Sequence, residues 1–484
     1  MALPTLRIIG FILGIFLITL AISMVIPMLT LLSFERTDDL NAFLWSSLGT
    51  ALAGLALIAS GRPQNAELRP RDMYLLTTAS WVVVCVFAAL PMMQIQHISY
   101  TDAFFETMSG ITTTGSTVLT GLDHASPGLL IWRSMLHWLG GIGFIGMAVA
   151  ILPLLRVGGM RLFQTESSDW GEKVMPRSHM AAKYILSIYT GFTLLGALAY
   201  WLAGMSPFDA INHAMASIST GGFSTSDQSL ANWSQPAIHW VAVATMMIGS
   251  LPFTLYVATW RGHRNALIRD HQVRGFVGFL VLTWLVVGTW LWLHSDYTWM
   301  DAFRIVAVNV TSVVTTTGFA LGDYTQWGSF AVMLFFYLTF VGGCSGSTAG
   351  GLKIFRFQVA YILLKANLQQ LVHPRAVIKQ QYNNHNLDED IVRSLITFSF
   401  FFTITIGVIA LGLALIGLDW VTALTAAATA VCNVGPGLGP IIGPVGNFAS
   451  LPDAAKWLLT IGMLLGRLEI LTVLVLVTRA FWKH

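Results

Sequence analysis

The chain has 484 residues, of which 55% are hydrophobic and only 10% are charged, and its mean hydropathy is +0.69. Soluble domains carry about 25% charged residues, so the composition excludes a globular enzyme with one anchor and indicates a polytopic membrane protein. A formal net charge of +3, without any basic helix or aromatic-basic array, excludes nucleic-acid binding. The scattered cysteines favour buried free thiols over a disulfide framework or a metal site: Cys85, Cys344 and Cys432.

Ten apolar stretches are long enough to be predicted as membrane-spanning helices. They lie at roughly residues 6–33, 40–60, 73–96, 129–155, 181–204, 236–260, 274–294, 328–350, 391–416 and 454–481. The first is too long for a signal-peptide core and has no cleavage site after it, so we expect it to remain as a helix. With both termini in the cytoplasm, the positive-inside rule accounts for all but five of the 26 basic residues. The exceptions are Arg36, Arg133, Arg304, Lys456 and Arg467.

Four loops on the opposite side each contain an apolar stretch that is too short to cross the bilayer. Stretches of 10 to 14 residues favour re-entrant helices. Each opens at an aspartate, which is a favourable N-cap residue, so the sequence predicts four short helices that begin at Asp102, Asp209, Asp301 and Asp419.

Each short helix is followed by a similar polar turn with a glycine in the same place. The turns read ITTTGST, ISTGGFS, VTTTGFA and VCNVGPG, and their glycines are Gly115, Gly222, Gly318 and Gly435. The opening aspartate precedes the glycine by 13, 13, 17 and 16 residues, which indicates that the later two copies are longer by about one helical turn. This is an internal repeat that occurs four times.

Such turns need a physical reason in an apolar protein. Non-helical backbone at membrane depth is tolerated only when it is buried in protein or lines a water-filled cavity. Four turns around one axis would present rings of carbonyl oxygens that replace the hydration shell of a cation. A single TTTG would fit an ordinary turn or a small-residue helix contact, but four copies in register favour a filter that is complete in one chain.

The predicted fold is an all-α polytopic membrane protein with two N-terminal spanning helices and four repeats of helix, re-entrant pore helix, filter loop and helix around one pseudo-fourfold pore. We expect the following boundaries: 1–70 for the helix pair, then 71–180, 181–272, 273–385 and 386–484 for the four repeats.

Several motifs resemble those of the TrkH/KtrB/HKT superfamily of potassium transporters, most closely its bacterial TrkH branch. They are TMSGITTTGST, ASISTGGFST, TTTGFALGDY, NVGPGLG, HWLGGIGFI and VGGCSGSTAGGLKIFR, and they span nearly the whole chain. The resemblance implies potassium uptake across the bacterial inner membrane by a homodimer with one pore per protomer. It also implies a regulator, the cytosolic nucleotide-binding ring TrkA. This chain has no GxGxxG unit after a strand, so we expect it to bind no nucleotide or other cofactor itself, only K⁺ as the transported ion.

The resemblance also implies which residues form the selectivity filter that binds K⁺. They are Thr112, Thr113, Thr114 and Gly115; Ser219, Thr220, Gly221 and Gly222; Thr315, Thr316, Thr317 and Gly318; and Cys432, Asn433, Val434 and Gly435. The fourth copy departs most from the pattern, so coordination by side-chain oxygen is in doubt there.

The eighth span contains five glycines within VGGCSGSTAGG, each unfavourable in a helix by about 1 kcal/mol. We expect the helix to unwind there into an intramembrane gating loop, although close packing of small residues is an alternative. The glycines are Gly342, Gly343, Gly346, Gly350 and Gly351.

Arg467 lies near the middle of the tenth span, where a charge has to face the bundle interior or water. Family resemblance supports a place in the pore under the filter, as a barrier that answers to the loop. The alternative is a buried pair with a carboxylate elsewhere, because Glu469 points to another face of the helix.

Other polar residues have simpler interpretations. Acidic residues in the outer loops, Glu106 among them, would attract cations, although several serve as helix caps. We interpret His137 and His213 as satisfied polar residues at helix contacts rather than ligands. Residues 353–393 and 156–183 are the predicted surface for the regulator.

Three alternatives compete with a potassium-conducting transport protein at this point. An ion-coupled potassium symporter, with H⁺ or Na⁺, would use the same fold. An intramembrane enzyme would need paired carboxylates, a Ser/His pair or a metal triad at membrane depth, and the sequence has none with plausible spacing. A receptor or scaffold would have no use for four equivalent glycine turns. We therefore expect a transport protein and not an enzyme.

Overall fold

The computed structural model describes residues 3–61, 69–150, 178–376, 378–383 and 385–483, and these are almost entirely helical. Six of the described helices are long and apolar enough to span a bilayer, or eight if two bent helix pairs each count as one span. The predicted all-α polytopic membrane fold is confirmed. The predicted fourth span continues beyond Ala150 into residues 151–155, which lie outside the described residues.

Two spans precede the repeats. The first is divided into α1 (Leu3–Ser23) and α2 (Val25–Ser33), and the second is α3 (Leu40–Ser60). A Cβ on Gly14 would lie 2.7 Å from the carbonyl oxygen of Gly54, and a Cβ on Gly54 would lie 2.9 Å from that of Gly14. The pair therefore packs through small residues that let the two backbones approach closely.

The first two repeats each consist of a long helix, a short helix, a polar turn and a second long helix. The first repeat contains α4 (Pro70–Gln96), α5 (Tyr100–Ile111) and α6 (Pro127–Ala150). The second contains α7 (Ser178–Leu202), α8 (Pro207–Ile218), α9 (Pro236–Ser250) and α10 (Phe253–Trp260). Short 3-10 helices follow the two turns, at Leu122–His124 and Ser229–Asn232.

The last two repeats follow the same order with more interruptions. After the linking helix α11 (Ala266–Arg269), the third repeat contains α12 (His271–Leu293), α13 (Trp299–Val314), a 3-10 helix (Tyr324–Trp327), α14 (Ser329–Leu338) and α15 (Ile354–Val372). The fourth contains α16 (Glu389–Ile416), α17 (Trp420–Cys432), α18 (Asp453–Arg467), α19 (Leu471–Val477) and α20 (Arg479–Trp482).

The short helices begin differently from the prediction in three of the repeats. There the N-cap is a hydroxyl residue that accepts a hydrogen bond from the backbone N–H of the aspartate three positions later, an arrangement that satisfies a free amide of the first turn. The N-caps are Ser99, Ser206 and Thr298, and only in the fourth repeat is the aspartate, Asp419, itself the N-cap.

This difference corrects the repeat lengths. Counted from the observed N-cap, the turn glycine follows after 16, 16, 20 and 16 residues. The fourth repeat therefore matches the first two, and only α13 is longer by about one turn.

Two predicted spans are not continuous. The axes of α9 and α10 differ by 90°, and those of α18 and α19 differ by 117°. The first break lies at Leu251 and Pro252, where proline has no amide to continue the helix. The second lies at Glu469, which has a φ of +57°. The prediction of continuous helices at 236–260 and 454–481 was therefore wrong.

The predicted unwinding of the eighth span is confirmed. Helix α14 ends at Leu338, and the chain does not become helical again before Ile354. We call residues 341–351 the glycine loop. Three of its glycines have left-handed φ values of +72° to +73°, namely Gly342, Gly346 and Gly351.

A small hairpin follows α15. Its strands, β1 (Gln381–Tyr382) and β2 (His385–Asn386), are antiparallel, with Gln381 opposite Asn386. The hairpin covers a small separate hydrophobic cluster whose buried members are Phe355, Val359, Tyr382, Ile391 and Leu395. This cluster joins α15 to α16 outside the main core.

A buried ion pair ties α15 to the break in the tenth span. Arg356 donates from Nη2 to Oε2 of Glu469 at 2.7 Å, and both side chains are almost inaccessible. Glu469 is therefore the partner of Arg356. It does not pair with Arg467, as the spacing of the two residues along the helix predicted.

We predict that Glu469→Gln lowers the free energy of unfolding by about 3 kcal/mol, because it leaves the buried Arg356 without its counter-charge. The same exchange at the exposed Glu389, for which no ion pair is seen in the described structure, should lower it by less than about 1 kcal/mol. Thermal unfolding in detergent compares the two, and equal shifts would contradict the prediction.

Candidate functional site

The four short helices end in the same hydrogen-bonded arrangement. In each, the third residue of the turn donates its backbone N–H to a carbonyl five positions earlier, which is the long bond of a Schellman motif. The bonds are Thr114 to Ser109 (2.9 Å), Gly221 to Ala216 (2.8 Å), Thr317 to Ser312 (2.8 Å) and Val434 to Thr429 (3.1 Å). Four copies of one local fold thus carry the predicted site residues.

The turns alternate in backbone handedness. The second residue of each has a left-handed φ of +52° to +56°: Thr113, Thr220, Thr316 and Asn433. The fourth is the glycine, with φ between +84° and +108°, whereas the third residue has no left-handed φ. Alternation of this kind turns successive amides to one side, so the carbonyl oxygens face the other side.

The glycines show that the four turns meet. A Cβ on each glycine would come within 3 Å of the carbonyl oxygen of the third residue in the next repeat, so only a residue without a side chain fits. The contacts join Gly115 to Gly221, Gly222 to Thr317, Gly318 to Val434, and Gly435 to Thr114. Because the last contact returns to the first repeat, the turns form a closed ring.

Side chains behind the ring differ between repeats. In the first and third, the hydroxyls of the first and third residues bond each other at 2.7 Å, in the pairs Thr112–Thr114 and Thr315–Thr317. In the fourth, Cys432 and Val434 supply no such hydroxyl pair. Asn433 donates its amide to Thr114 Oγ1 at 3.0 Å and to the carbonyl of Met463 at 2.9 Å.

The glycine loop fits against the break between α9 and α10. Its amides at Cys344 and Thr348 bond the carbonyls of Ser250 and Gly249, at 2.9 and 3.1 Å. In return, Phe253, the first residue of α10, donates its amide to the carbonyl of Gly346 at 3.0 Å. The two irregular segments therefore provide hydrogen-bond partners for each other's backbone amides and carbonyls.

The same loop touches the left-handed residues of the turns. Thr348 Oγ1 lies 3.2 Å from Thr220 Oγ1, and the amide of Gly350 donates to Thr316 Oγ1 at 2.6 Å. A Cβ on Gly350 would overlap the carbonyl oxygen of Cys432. The loop thus lies directly against the second, third and fourth turns. In the first turn, the hydroxyl of Thr113 has no protein partner among the described residues.

Arg467 reaches the glycine loop from the fourth repeat. It is 1% exposed and donates from Nη1 to the carbonyl of Thr348 at 2.7 Å, with its guanidinium 4.0 Å from the ring centroid of Phe144. Its Nε and Nη2 have no partner within the part of the chain that the structure describes. Lys353 Nζ lies 4.9 Å from the same ring and donates to the carbonyl of Ala349.

Glu106 corrects the interpretation of the acidic residues. It is buried and accepts from Nε of Arg133 at 2.8 Å, as well as from the Thr117 hydroxyl and the amide of Val118. Arg133 also donates to the carbonyl of Ser224 at 3.1 Å. This pair braces the chain after the first two turns, so its charge is not free to attract cations.

Other predictions have mixed outcomes. The two histidines are hydrogen-bonded at helix contacts, as predicted: His137 bonds Gly110 and Phe223, and His213 bonds Asp209 and Ser224. All three cysteines are buried free thiols, as predicted. Sequence reasoning missed Phe144, Lys353 and Thr348, since nothing local connects them with the turns.

The first residues of the surface predicted for the regulator are not accessible. Lys353 and Arg356 are buried, and the exposed polar residues begin further along α15. Of the second segment, residues 156–177 lie outside the described residues.

Comparison with known proteins identifies the family. Residues 41–483 match the TrkH family, described as a cation transport protein. The chain belongs to the TrkH family. It is 53% identical to the Trk system potassium uptake protein TrkI of Halomonas elongata over 98% of this chain and 96% of that protein. It is 35% identical to the Trk system potassium uptake protein TrkH of Escherichia coli K12 over 98% of each.

A solved structure agrees with this assignment. The crystal structure of the potassium transporter TrkH from Vibrio parahaemolyticus superposes with a TM-score of 0.91 at 35% identity, covering 99% of this chain and 100% of that one. These relatives are named as transporters, so the TrkH-family chain is a transport protein and not an enzyme.

We predict that Gly222→Ala destabilises the ring far more than Gly121→Ala. Both glycines have left-handed φ, which penalises any side chain by about 1–2 kcal/mol. The methyl group on residue 222 would also overlap the carbonyl of Thr317, whereas Gly121 has open space. Thermal unfolding of the purified variants measures the difference, and similar midpoints would argue against a closed ring.

Proposed function

We propose that this chain takes up potassium and that its four turns form the selectivity filter. The observation that carries the proposal is the closed ring of third-position carbonyls, joined by the glycine contacts of all four repeats. The curated relatives are named as potassium uptake proteins over nearly their full length. The filter residues are those predicted from the sequence, namely 112–115, 219–222, 315–318 and 432–435.

The chemistry of the ring suits a monovalent cation. Neutral carbonyl oxygens replace the hydration shell of an ion and still release it, whereas a fixed carboxylate would hold it more tightly. The buried carboxylate of Glu106, on the helix that precedes the first turn, is paired with Arg133. The ion therefore meets backbone dipoles rather than formal charge within the filter.

We propose that the glycine loop is the gate. It lies against three of the turns and is held by the hydroxyls of Thr220 and Thr316 and by the guanidinium of Arg467. Left-handed glycines give the loop a backbone that can change without side-chain clashes. Movement of the loop away from Thr316 would uncover the route from the filter to the cytoplasm.

Arg467 adds an electrostatic barrier to this steric one. Its Nε and Nη2 carry charge without a protein partner in the described structure. A potassium ion that leaves the filter would meet this charge and that of Lys353, both of which lie next to the ring of Phe144. The barrier falls when the loop, and the Thr348 carbonyl that fixes Arg467, move together.

We propose that a cytosolic TrkA-like nucleotide-binding ring controls the loop through the hairpin. The side chain of Asn383 bonds Asp270 at 3.1 Å and the amide of His271 at 3.2 Å, at the start of α12. The next residue, Gln272, accepts from the amide of Ser345 in the glycine loop at 2.5 Å. A partner that shifts the hairpin would thus act on the loop.

The homodimer, the inner-membrane location and the cytoplasmic termini stay predictions from the sequence. The ion-coupled alternative stays open in the same way, because the filter and the loop would serve a symporter equally well.

We predict that Gly318→Ser lowers the preference for potassium over sodium by roughly tenfold. The serine would be held at φ +87° against the carbonyl of Val434, and a strain of about 1–2 kcal/mol would be relieved by moving that oxygen. Gly322→Ser is the matched control, since Gly322 has φ +78° in open space. Competing K⁺ and Na⁺ uptake into proteoliposomes measures the ratio. An unchanged ratio in a folded Gly318→Ser variant would refute the filter.

We predict that Arg467→Ala raises potassium flux on the order of a hundredfold without any regulator. Two unit charges about 5 Å apart repel by about 3 kcal/mol at an effective dielectric constant of 20, and the variant removes that repulsion along with the bond to Thr348. Arg467→Lys keeps the charge and should remain slow. Unchanged potassium flux in the alanine variant, or an equal increase in flux in both variants, would contradict the barrier role.

A further inference from the structure

The HWLGG motif of α6 packs against the filter turns. A Cβ on Gly140 would overlap the carbonyl oxygen of Ile111, the last residue of α5. A Cβ on Gly141 would lie 2.9 Å from Cβ of Ser219, the first residue of the second turn. The two glycines therefore bring α6 against the first and second turns at once, with His137 one helical turn earlier on the same face.

Comparison with the other repeats singles out His137. The second and fourth repeats have a glycine that takes the place of Gly140: Gly249 packs on the carbonyl of Ile218, and Gly466 on that of Val431. Three positions before these glycines stand His137 in the first repeat, Met246 in the second and Met463 in the fourth. The equivalent position thus holds an apolar methionine in the second and fourth repeats, and an imidazole in the first.

The hydrogen bonds of His137 fix its tautomer. Nε2 accepts from the backbone N–H of Phe223 at 3.1 Å, so it carries no proton. Nδ1 carries the proton and donates to the carbonyl of Gly110 at 2.8 Å. The buried ring also packs on Phe223, with centroids 4.0 Å apart. A neutral imidazole thus joins the end of α5 to the residue that follows the filter glycine of the second repeat.

His137 also explains why the third position of the second turn is a glycine. The second turn reads STGG where the first and third read TTTG, and a Cβ on Gly221 would overlap the imidazole ring of His137. Gly221 does not have the left-handed φ of Gly222, so its glycine is required by space and not by backbone conformation. The imidazole occupies the place that a threonine side chain fills in the first and third repeats.

We propose that His137 is a positioning residue that sets the carbonyl of Gly221 in the ring and so contributes to ion discrimination. Gly221 supplies the carbonyl against which Gly115 packs. His137 holds that residue from behind and holds Phe223 by its amide, so both ends of the Gly221–Gly222 segment depend on one side chain. The inference rests on the proposed filter and names a specificity-determining residue outside it.

A size exchange tests the proposal. His137→Ala leaves a void and a buried amide without a partner, so the potassium-to-sodium uptake ratio in proteoliposomes should fall by about tenfold. Gly221→Thr forces a side chain into the imidazole and should also impair the ratio. In the double variant the threonine enters the vacated space, and the ratio should exceed that of either single variant several-fold. His137→Gln, which keeps a donor and an acceptor, should lose less than the alanine variant.

The control is His239→Ala. His239 is a buried histidine that bonds the carbonyl of Trp233 at 2.9 Å and contributes nothing to the ring, so its ratio should match the parent. A parental ratio in folded His137→Ala, or a double variant no better than the worse single one, would overturn the inference. If only the inference fails, Gly318→Ser still changes the ratio. If the proposed filter is wrong, Gly318→Ser leaves the uptake ratio unchanged as well.

Discussion

The structure depends on one constraint: polar backbone outside a helix has to find partners at membrane depth. The irregular segments meet this constraint by pairing with one another. The break before Phe253 leaves carbonyls at Gly249 and Ser250, and the amides of the glycine loop bond them. Neither segment would be stable alone, because each would bury unpaired peptide groups. If the glycine loop moves as we propose, water has to replace its lost partners, so its movement and the hydration of the pathway are coupled.

Buried ion pairs follow the same logic, whereas Arg467 does not. Glu106 and Arg133, and Glu469 and Arg356, are buried pairs that brace different repeats against each other. Breaking such a pair is costly, so both belong to the rigid framework. Arg467 is equally buried but bonds one carbonyl, with two nitrogens unpartnered in the described part of the chain. A buried charge with so few partners is costly, and this cost is consistent with the barrier role that we propose for Arg467.

The sequence alone predicts the fourfold repeat, the meeting of the four turns around one axis and the broken eighth span, because polar residues and glycines inside apolar sequence are strong local signals. It does not predict the left-handed threonines, since β-branched residues rarely take positive φ; the hydroxyl of Thr316 is used by the loop amide of Gly350, which lies 34 residues away. The break at Glu469 is missed for a similar reason, as its partner Arg356 lies 113 residues earlier. In three repeats the predicted helix start is three positions too late, because serine and threonine are favourable N-cap residues as aspartate is.

Covalent linkage of the four repeats permits differences that a ring of identical subunits would exclude. In a symmetric tetramer, any third-position residue would have to fit four times. Here the positions hold Thr114, Gly221, Thr317 and Val434, and each is packed by different neighbours. The backbone ring is therefore nearly fourfold while the shell behind it is not. The asymmetry lets a histidine pack behind the second turn and hydroxyl pairs stabilise the first and third. The glycine loop lies against the second, third and fourth turns, so each of the four turns has a different set of supporting contacts.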